Sequence, residues 1–156
     1  MKPALSLALL IGALATPSAL RAEPIQPQHA CYEAEGFTSS SKWREKTKHW
    51  DQERPASPSL WESYQAYLVA KKERPFAQEH FQNDKQMHCY IGCRIAQDIS
   101  LKAAKFAGWA KERRDLTDCD SGTHFEELDY WVTVRGAELG TAFPSASECI
   151  RWCEFL

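Results

Sequence analysis

The chain has 156 residues, a formal net charge of −2 and six cysteines. This length is enough for one domain to bury a core of its own. A near-neutral charge provides no basic surface of the kind that binds nucleic acid, so we expect no nucleic-acid partner.

The N-terminal segment, 1–22, has the pattern of a secretory signal peptide. Lys2 supplies a positive charge and residues 5–14 form an apolar run. The small residue Ala22 precedes the expected cleavage site, so we predict a mature chain that begins at Glu23. An uncleaved anchor is the alternative, but a run of about ten residues is too short to span a bilayer. We therefore predict a periplasmic or secreted protein with no transmembrane segment after cleavage.

Two segments follow the predicted signal peptide. Residues 23–58 are polar, with Trp43 and Trp50 as isolated apolar anchors, and we predict an irregular N-terminal arm. Residues 59–156 carry helix signals and no strand pattern of useful length, so we predict a helical, disulfide-bonded domain.

The first helix of this domain is predicted to begin after Ser59. Ser59 and Glu62 have the spacing of a capping box, in which each side chain accepts a backbone N–H at the helix start. Pro75 is expected to end the helix, because proline lacks the N–H that a helix interior uses. The apolar stripe of this helix consists of Leu60, Tyr64, Tyr67 and Leu68.

The second helix is predicted over residues 85–98, with Asp84 as its N-cap. At about 100° per residue, Cys89 and Cys93 share one face, and His88 falls beside them within the apolar arc. The residues expected to point away from this arc are Tyr90, Arg94, Gln97 and Asp98.

Three more helices complete the prediction. They are expected over residues 101–115, over residues 123–139, and from near Ser145 to the end of the chain, where Glu148 again has capping-box spacing. The predicted fold is all-α: a compact, disulfide-stapled bundle of four to five helices.

The six cysteines predict three disulfides, because an even number follows a signal peptide. Two Cys-x3-Cys pairs on two helices can join face to face, since residues four apart stack on one side of a helix. Antiparallel helices would pair Cys89 with Cys153, and parallel helices would pair Cys89 with Cys149, with Cys93 taking the remaining cysteine. Cys31 and Cys119 would then tie the arm to the loop before the fourth helix.

Two alternative uses of the cysteines are less favoured. Zinc sites usually have Cys-x2-Cys turns, and dithiol redox sites have Cys-x-x-Cys, whereas both pairs here are Cys-x3-Cys. The chain also has no Gly-rich phosphate loop or nucleophile elbow. We therefore predict no metal at the cysteines and no cofactor.

Four polar residues on helix faces are candidate catalytic residues: His88, Glu112, Asp115 and Asp129. Glu112 and Asp115 share a stripe with Gly108, and the favoured interpretation of this stripe is a solvated face with ordinary surface pairs to Lys111, with a functional role as the alternative. Asp129 falls on an apolar arc, and a buried carboxylate needs a partner.

His88 and Arg135 are both possible partners of Asp129. A buried pair of either kind could be structural or functional. His80 and His124 have polar neighbours in the sequence, and we expect both to be exposed.

The order of these features resembles small helical, cysteine-rich domains of bacterial secreted proteins, including C-terminal domains of Rhs-type polymorphic toxins. The shared pattern is His88-Cys89-x3-Cys93, then Gly108-x3-Glu112, then Asp129-x6-Gly136-x3-Gly140, then Cys149-x3-Cys153. The resemblance covers about residues 85–153 and implies a helical fold with a toxin-like activity. Val132 and Thr133 stand where the pattern carries asparagine.

Two functions are consistent with the sequence. The first is a secreted or periplasmic protein that binds a partner at the bacterial cell envelope. The alternative is a toxin-like effector or hydrolase, in which His88 acts as general base or metal ligand and the carboxylates orient it or bind a cation. An enzyme requires these side chains within mutual reach, whereas a binding protein requires exposed aromatic residues.

Overall fold

The computed structural model describes residues 29–120 and 122–156. The predicted signal peptide, 1–22, lies outside the described residues. Within them the chain is all-helical, as predicted, and its seven helices are α1 (His29–Ala34), α2 (Ser40–Gln52), α3 (Leu60–His80), α4 (Asp84–Asp98), α5 (Leu101–Asp118), α6 (Glu127–Ala142) and α7 (Ala146–Cys153).

The predicted arm contains two of these helices, α1 and α2. Two tryptophans hold α2 against α5, because the indole of Trp43 donates to the carbonyl of Leu116 and the indole of Trp50 donates to that of Trp109. Trp109 in turn donates to the carbonyl of Trp50, at 2.9 Å. This exchange of hydrogen bonds satisfies two buried indole groups and gives the arm a fixed place on the bundle.

Helix α3 begins as predicted and ends later than predicted. Ser59 and Glu62 form the expected capping box. The prediction that Pro75 ends the helix was wrong, since α3 continues through it to His80. The missing N–H costs one hydrogen bond, whereas the last turn places Ala77 in the core and the Phe76 ring 5.0 Å from that of His80.

The predicted apolar stripe of α3 is exposed. Leu60 is 92% exposed, and Tyr64, Tyr67 and Leu68 also face solvent. The buried residues of α3 are instead Ala66, Ala77 and Glu73, and Glu73 accepts a hydrogen bond from the hydroxyl of Tyr90. These residues share one face of α3, but no helix within the described part of the chain covers that face.

Helix α4 lies at the centre of the bundle and packs against α3, α5, α6 and α7. Its N-cap is Asn83, one residue before the predicted Asp84, and the Asn83 side chain accepts the N–H of Gln86. Tyr90 was expected to point away from the core, yet it is buried and donates to Glu73 on α3 at 2.7 Å. Because α4 is covered on several sides, one apolar arc does not describe its environment.

The closest helix pair is α4 with α6, and glycines make this approach possible. A Cβ atom at Gly136 would overlap the carbonyl oxygen of Cys89, and one at Gly92 would overlap that of Thr133. Side chains at these positions would therefore force the two helices apart.

The structure selects the antiparallel pairing of the cysteines. Cys89 is bonded to Cys153 and Cys93 to Cys149, with Cα–Cα separations of 5.7 and 5.8 Å. The third bridge joins Cys31 to Cys119 as predicted. Two bridges one turn apart thus fix α7 on α4, and no free cysteine remains.

Helices α5 and α6 differ from their predicted bounds. Helix α5 continues to Asp118 rather than ending at residue 115, and α6 begins at Glu127 rather than at residue 123. Just before α6, the buried carboxylate of Glu35 accepts the N–H of Phe125 and that of Glu112 accepts the N–H of Glu126. Among the described residues, no helix combines the length and the apolar character that crossing a bilayer requires.

Candidate functional site

The site lies where α4, α5 and the N-terminal turn of α6 meet. His88 projects from α4 with a side chain that is 23% exposed, and its Nε2 is 3.6 Å from Oδ2 of Asp129 on α6. This distance confirms the predicted reach between the histidine and a carboxylate. The other ring nitrogen, Nδ1, lies 3.3 Å from the hydroxyl oxygen of Thr133.

Glu112 enters the site from α5 and is 1% exposed. Its Oε2 accepts the backbone N–H of Glu126 at 2.9 Å, at the start of α6. Its Oε1 is buried and has no hydrogen-bond partner within the described residues. The interpretation of this stripe as a solvated acidic face was wrong, because Glu112 and Asp115 are both buried.

Asp129 is buried and has a second partner, Lys85, that the sequence pattern did not predict. The ammonium nitrogen of Lys85 lies 2.5 Å from its Oδ1 and also contacts Glu126 and Asp84. Arg135, the other proposed partner, instead pairs with Glu138. The spacing of Lys85 in the sequence indicates its position in the site, since it lies three residues before His88 on the same side of α4.

The structure brings together three of the four candidate catalytic residues. His88, Glu112 and Asp129 each offer one nitrogen or oxygen, and these atoms lie within 4.8 Å of one another. Asp115 is buried but pairs with Lys111 instead. His80 and His124 are exposed, as predicted, and lie near Glu154 and Glu35 respectively.

Burial and nearby charges shift the pKa values of His88, Glu112 and Lys85. Burial lowers the pKa of His88, an effect that Asp129 opposes. Burial raises the pKa of Glu112 to about 8, although the hydrogen bond from Glu126 opposes the shift. Burial also acts against the charged form of Lys85, but its hydrogen bonds to Asp129, Glu126 and Asp84 outweigh this and raise its pKa. Near neutral pH the site therefore holds a neutral imidazole, a largely protonated Glu112 and a Lys85–Asp129 ion pair.

This arrangement has two chemical uses. A neutral imidazole beside a carboxylate can accept a proton, as a general base does. The same imidazole with two carboxylates can also bind a cation, because these are donor groups that transition metals prefer.

A second acidic group adjoins the first and consists of Asp84, Glu126 and Asp129. Lys85 contacts all three, so its ammonium already supplies the positive charge there.

No protein-family model, curated protein or solved structure matches this chain. The chemistry of the site is therefore inferred from the geometry of its own residues.

Proposed function

We propose that this protein is a secreted or periplasmic binding protein that docks on the phospholipid surface of the bacterial cell envelope through α3. Three disulfides support a place outside the reducing cytoplasm, since such bonds persist in oxidising compartments. The observation that carries the proposal is the exposed apolar face of α3, formed by Leu60, Trp61, Tyr64, Tyr67 and Leu68.

The composition of this face fits a lipid headgroup region. Trp61 is 65% exposed, and its ring lies 5.9 Å from that of the exposed Tyr64, so these two aromatic residues are adjacent on the face. Tryptophan and tyrosine have an apolar body and a polar tip, and they concentrate where a membrane meets water. Such a contiguous apolar patch is uncommon on a monomer without a binding role.

The charge next to the patch favours an anionic membrane. Lys71 and Lys72 follow the aromatic residues by one turn, and both are exposed. An apolar face with adjacent lysines binds an interface by burying the face and attracting anionic lipids. Vesicles with phosphatidylglycerol therefore provide the appropriate probe.

Cosedimentation with vesicles of phosphatidylethanolamine and phosphatidylglycerol tests the proposal. We expect the mature protein to bind these vesicles, and the double variant Trp61→Ser, Tyr67→Ser to lose most of that binding. Trp131→Ser is the matched control, because Trp131 is 49% exposed on a different helix. An unbound wild-type protein, or equal binding by the double variant and the wild type, would contradict docking through α3.

The second candidate function is a toxin-like effector or hydrolase, which the Rhs-type resemblance also suggests. The specific observation in its favour is the 3.6 Å approach of His88 to Asp129 in a partly exposed site. Periplasmic expression of the wild type should then slow growth, and His88→Gln should abolish the effect. His80→Gln is the control, since His80 is an exposed histidine that pairs with Glu154. Equal growth of cells with the wild type and with His88→Gln would rule this function out.

A further inference from the structure

The hydrogen bonds of Thr133 determine which nitrogen of His88 is available. The Thr133 hydroxyl donates its only proton to the carbonyl oxygen of Asp129, one turn earlier, at 2.7 Å. Its contact with His88 Nδ1 therefore requires the ring to donate, so Nδ1 carries the proton of the neutral imidazole. The lone pair of the ring then lies on Nε2.

The Nε2 atom that carries this lone pair lies near a carboxylate oxygen of Asp129. His88 Nε2 and Asp129 Oδ2 are 3.6 Å apart, which is too long for a direct hydrogen bond. Ligand atoms on a tetrahedral zinc ion lie about 3.3 Å apart, given metal–ligand bonds near 2.0–2.1 Å. The separation of the two atoms is thus close to that of two ligands of one ion.

Glu112 supplies a third donor, and its carboxyl group is an independent sign of a missing partner. The side chain is almost completely buried, and Oε1 has no hydrogen-bond partner among the described residues. A buried carboxyl oxygen without a partner is costly, because it has lost its hydrogen bonds to water. One donor atom of Glu112 lies within 4.8 Å of those of His88 and Asp129.

Each of the three residues is also held by an outer partner, as metal ligands usually are. The hydroxyl oxygen of Thr133 accepts a hydrogen bond from Nδ1 of His88, the ring nitrogen that is not a proposed ligand. The backbone N–H of Glu126 donates to Oε2 of Glu112. Lys85 contacts Oδ1 of Asp129, which leaves Oδ2 on the side of the imidazole. These contacts hold the three side chains in place, with one donor atom of each within 4.8 Å of the other two.

We propose that His88, Glu112 and Asp129 form a binding site for one divalent transition metal ion of the zinc class, with Nε2 of His88 as the nitrogen ligand. One imidazole and two carboxylates suit zinc better than calcium or magnesium, which prefer oxygen ligands alone. Three protein ligands would leave a fourth position for water or a substrate, as in catalytic zinc sites, and the His88 side chain is 23% exposed. The site is separate from the α3 face, so the proposal stands independently of membrane binding.

Isothermal titration calorimetry with zinc chloride tests the site on the mature, disulfide-intact protein after removal of metal with a chelator. We expect one zinc ion per chain. His88→Gln, Asp129→Asn and Glu112→Gln should each weaken binding at least about tenfold, since even loss of an outer partner costs that much. His80→Gln is the control for adventitious binding at a surface histidine, and it should bind zinc like the wild type. Circular dichroism establishes that each variant retains its helices.

X-ray absorption spectroscopy of the zinc-loaded wild type tests the ligand set without any substitution. We expect a first shell of nitrogen and oxygen near 2.0–2.1 Å with a single imidazole and no sulfur. The absence of sulfur follows from the three disulfides, which leave no thiolate. No zinc binding, unchanged affinity in all three variants, or a spectrum with two or more imidazoles would overturn the proposal.

Discussion

At the residue scale, Thr133 connects the site to the packing of the helices. Its hydroxyl binds His88 and the carbonyl of Asp129, while its methyl group lies against Gly108 on α5. A Cβ atom at position 108 would lie too close to this methyl group, so this position on α5 requires glycine. One threonine thereby sets the spacing of two helices and the orientation of the imidazole.

Loss of the His88 ring is expected to destabilise the fold as well as the site. In metal-free protein, His88→Ala should lower the free energy of unfolding by about 1–3 kcal/mol, because it removes a largely buried ring together with its hydrogen bond to Thr133. Urea unfolding in the presence of a chelator measures the change. His80→Ala should cost less than about 1 kcal/mol, since its ion pair is exposed. Equal stability of the wild type and His88→Ala would show that the contacts of this ring contribute nothing.

Glu112 is expected to make stability depend on pH. Its pKa in the folded protein is about 8, against 4.5 for an unperturbed glutamate. The folded state therefore holds this proton more tightly, and stability is lost as pH rises through the folded pKa. The loss should be at most about 1.4 kcal/mol per pH unit. The charged and polar groups that surround Glu112 are Lys111, Asp115, His88, Asp129 and the N–H of Glu126.

The range from pH 6.5 to 8 is the clearest window for this measurement. The lowered pKa of His88 has the opposite effect, but its contribution ends above 6.5, where the unfolded imidazole is also neutral. Urea unfolding of the metal-free wild type across this window should give falling stability, and Glu112→Gln should give a shallower dependence. Parallel pH profiles for the two proteins would refute the shifted pKa.

At the scale of helices, the approach of α4 to α6 depends on glycine. Gly136→Ala is expected to destabilise the protein by roughly 1–3 kcal/mol, the usual cost of overpacking, because the new Cβ would overlap the carbonyl of Cys89. Thermal or urea unfolding measures the loss.

Glu138→Ala is the control for Gly136→Ala, because Glu138 is exposed on the same helix and pairs only with Arg135 among the described residues. That change should shift stability by less than about 1 kcal/mol. Similar stabilities for Gly136→Ala and Glu138→Ala would show that the helices can separate at little cost.

At the scale of the whole molecule, the three disulfides have different roles. The two bridges between α4 and α7 lie within a buried cluster that includes Phe81 and Tyr90. The bridge from Cys31 holds α1, whose contacts with other helices are limited to α2 and α5 in the described chain.

Removing the Cys93–Cys149 bridge between α4 and α7 should therefore lower global stability. Removing the Cys31–Cys119 bridge should instead free α1 from the bundle. The double variant Cys93→Ala, Cys149→Ala is expected to lose about 2–5 kcal/mol of unfolding free energy. Cys31→Ala with Cys119→Ala should mainly increase proteolytic cleavage before α2.

Thiol titration of the denatured, unreduced wild type should find no free thiol, and two or more would contradict the three-bridge structure.

The sequence was sufficient to predict features that depend on local spacing. Signals at i and i+3 located the caps at Ser59 and Ser145, and the Cys-x3-Cys spacing predicted two bridges between one pair of helices. Helical angles also placed His88 and Asp129 on inward arcs, so their pairing was predictable. The catalytic and binding roles of these residues stay predictions, because they depend on chemistry that spacing does not specify.

The sequence by itself determined that the chain is a disulfide-bonded helical protein and which residues share each helix face. Tertiary structure alone decided which faces are covered, because helical periodicity gives angles about one axis and not the positions of neighbouring helices. The α3 stripe is therefore exposed although it is apolar, and Glu112 is buried although it is charged. Tertiary structure also decided the antiparallel cysteine pairing and placed Lys85 beside Asp129, since both depend on how distant helices meet.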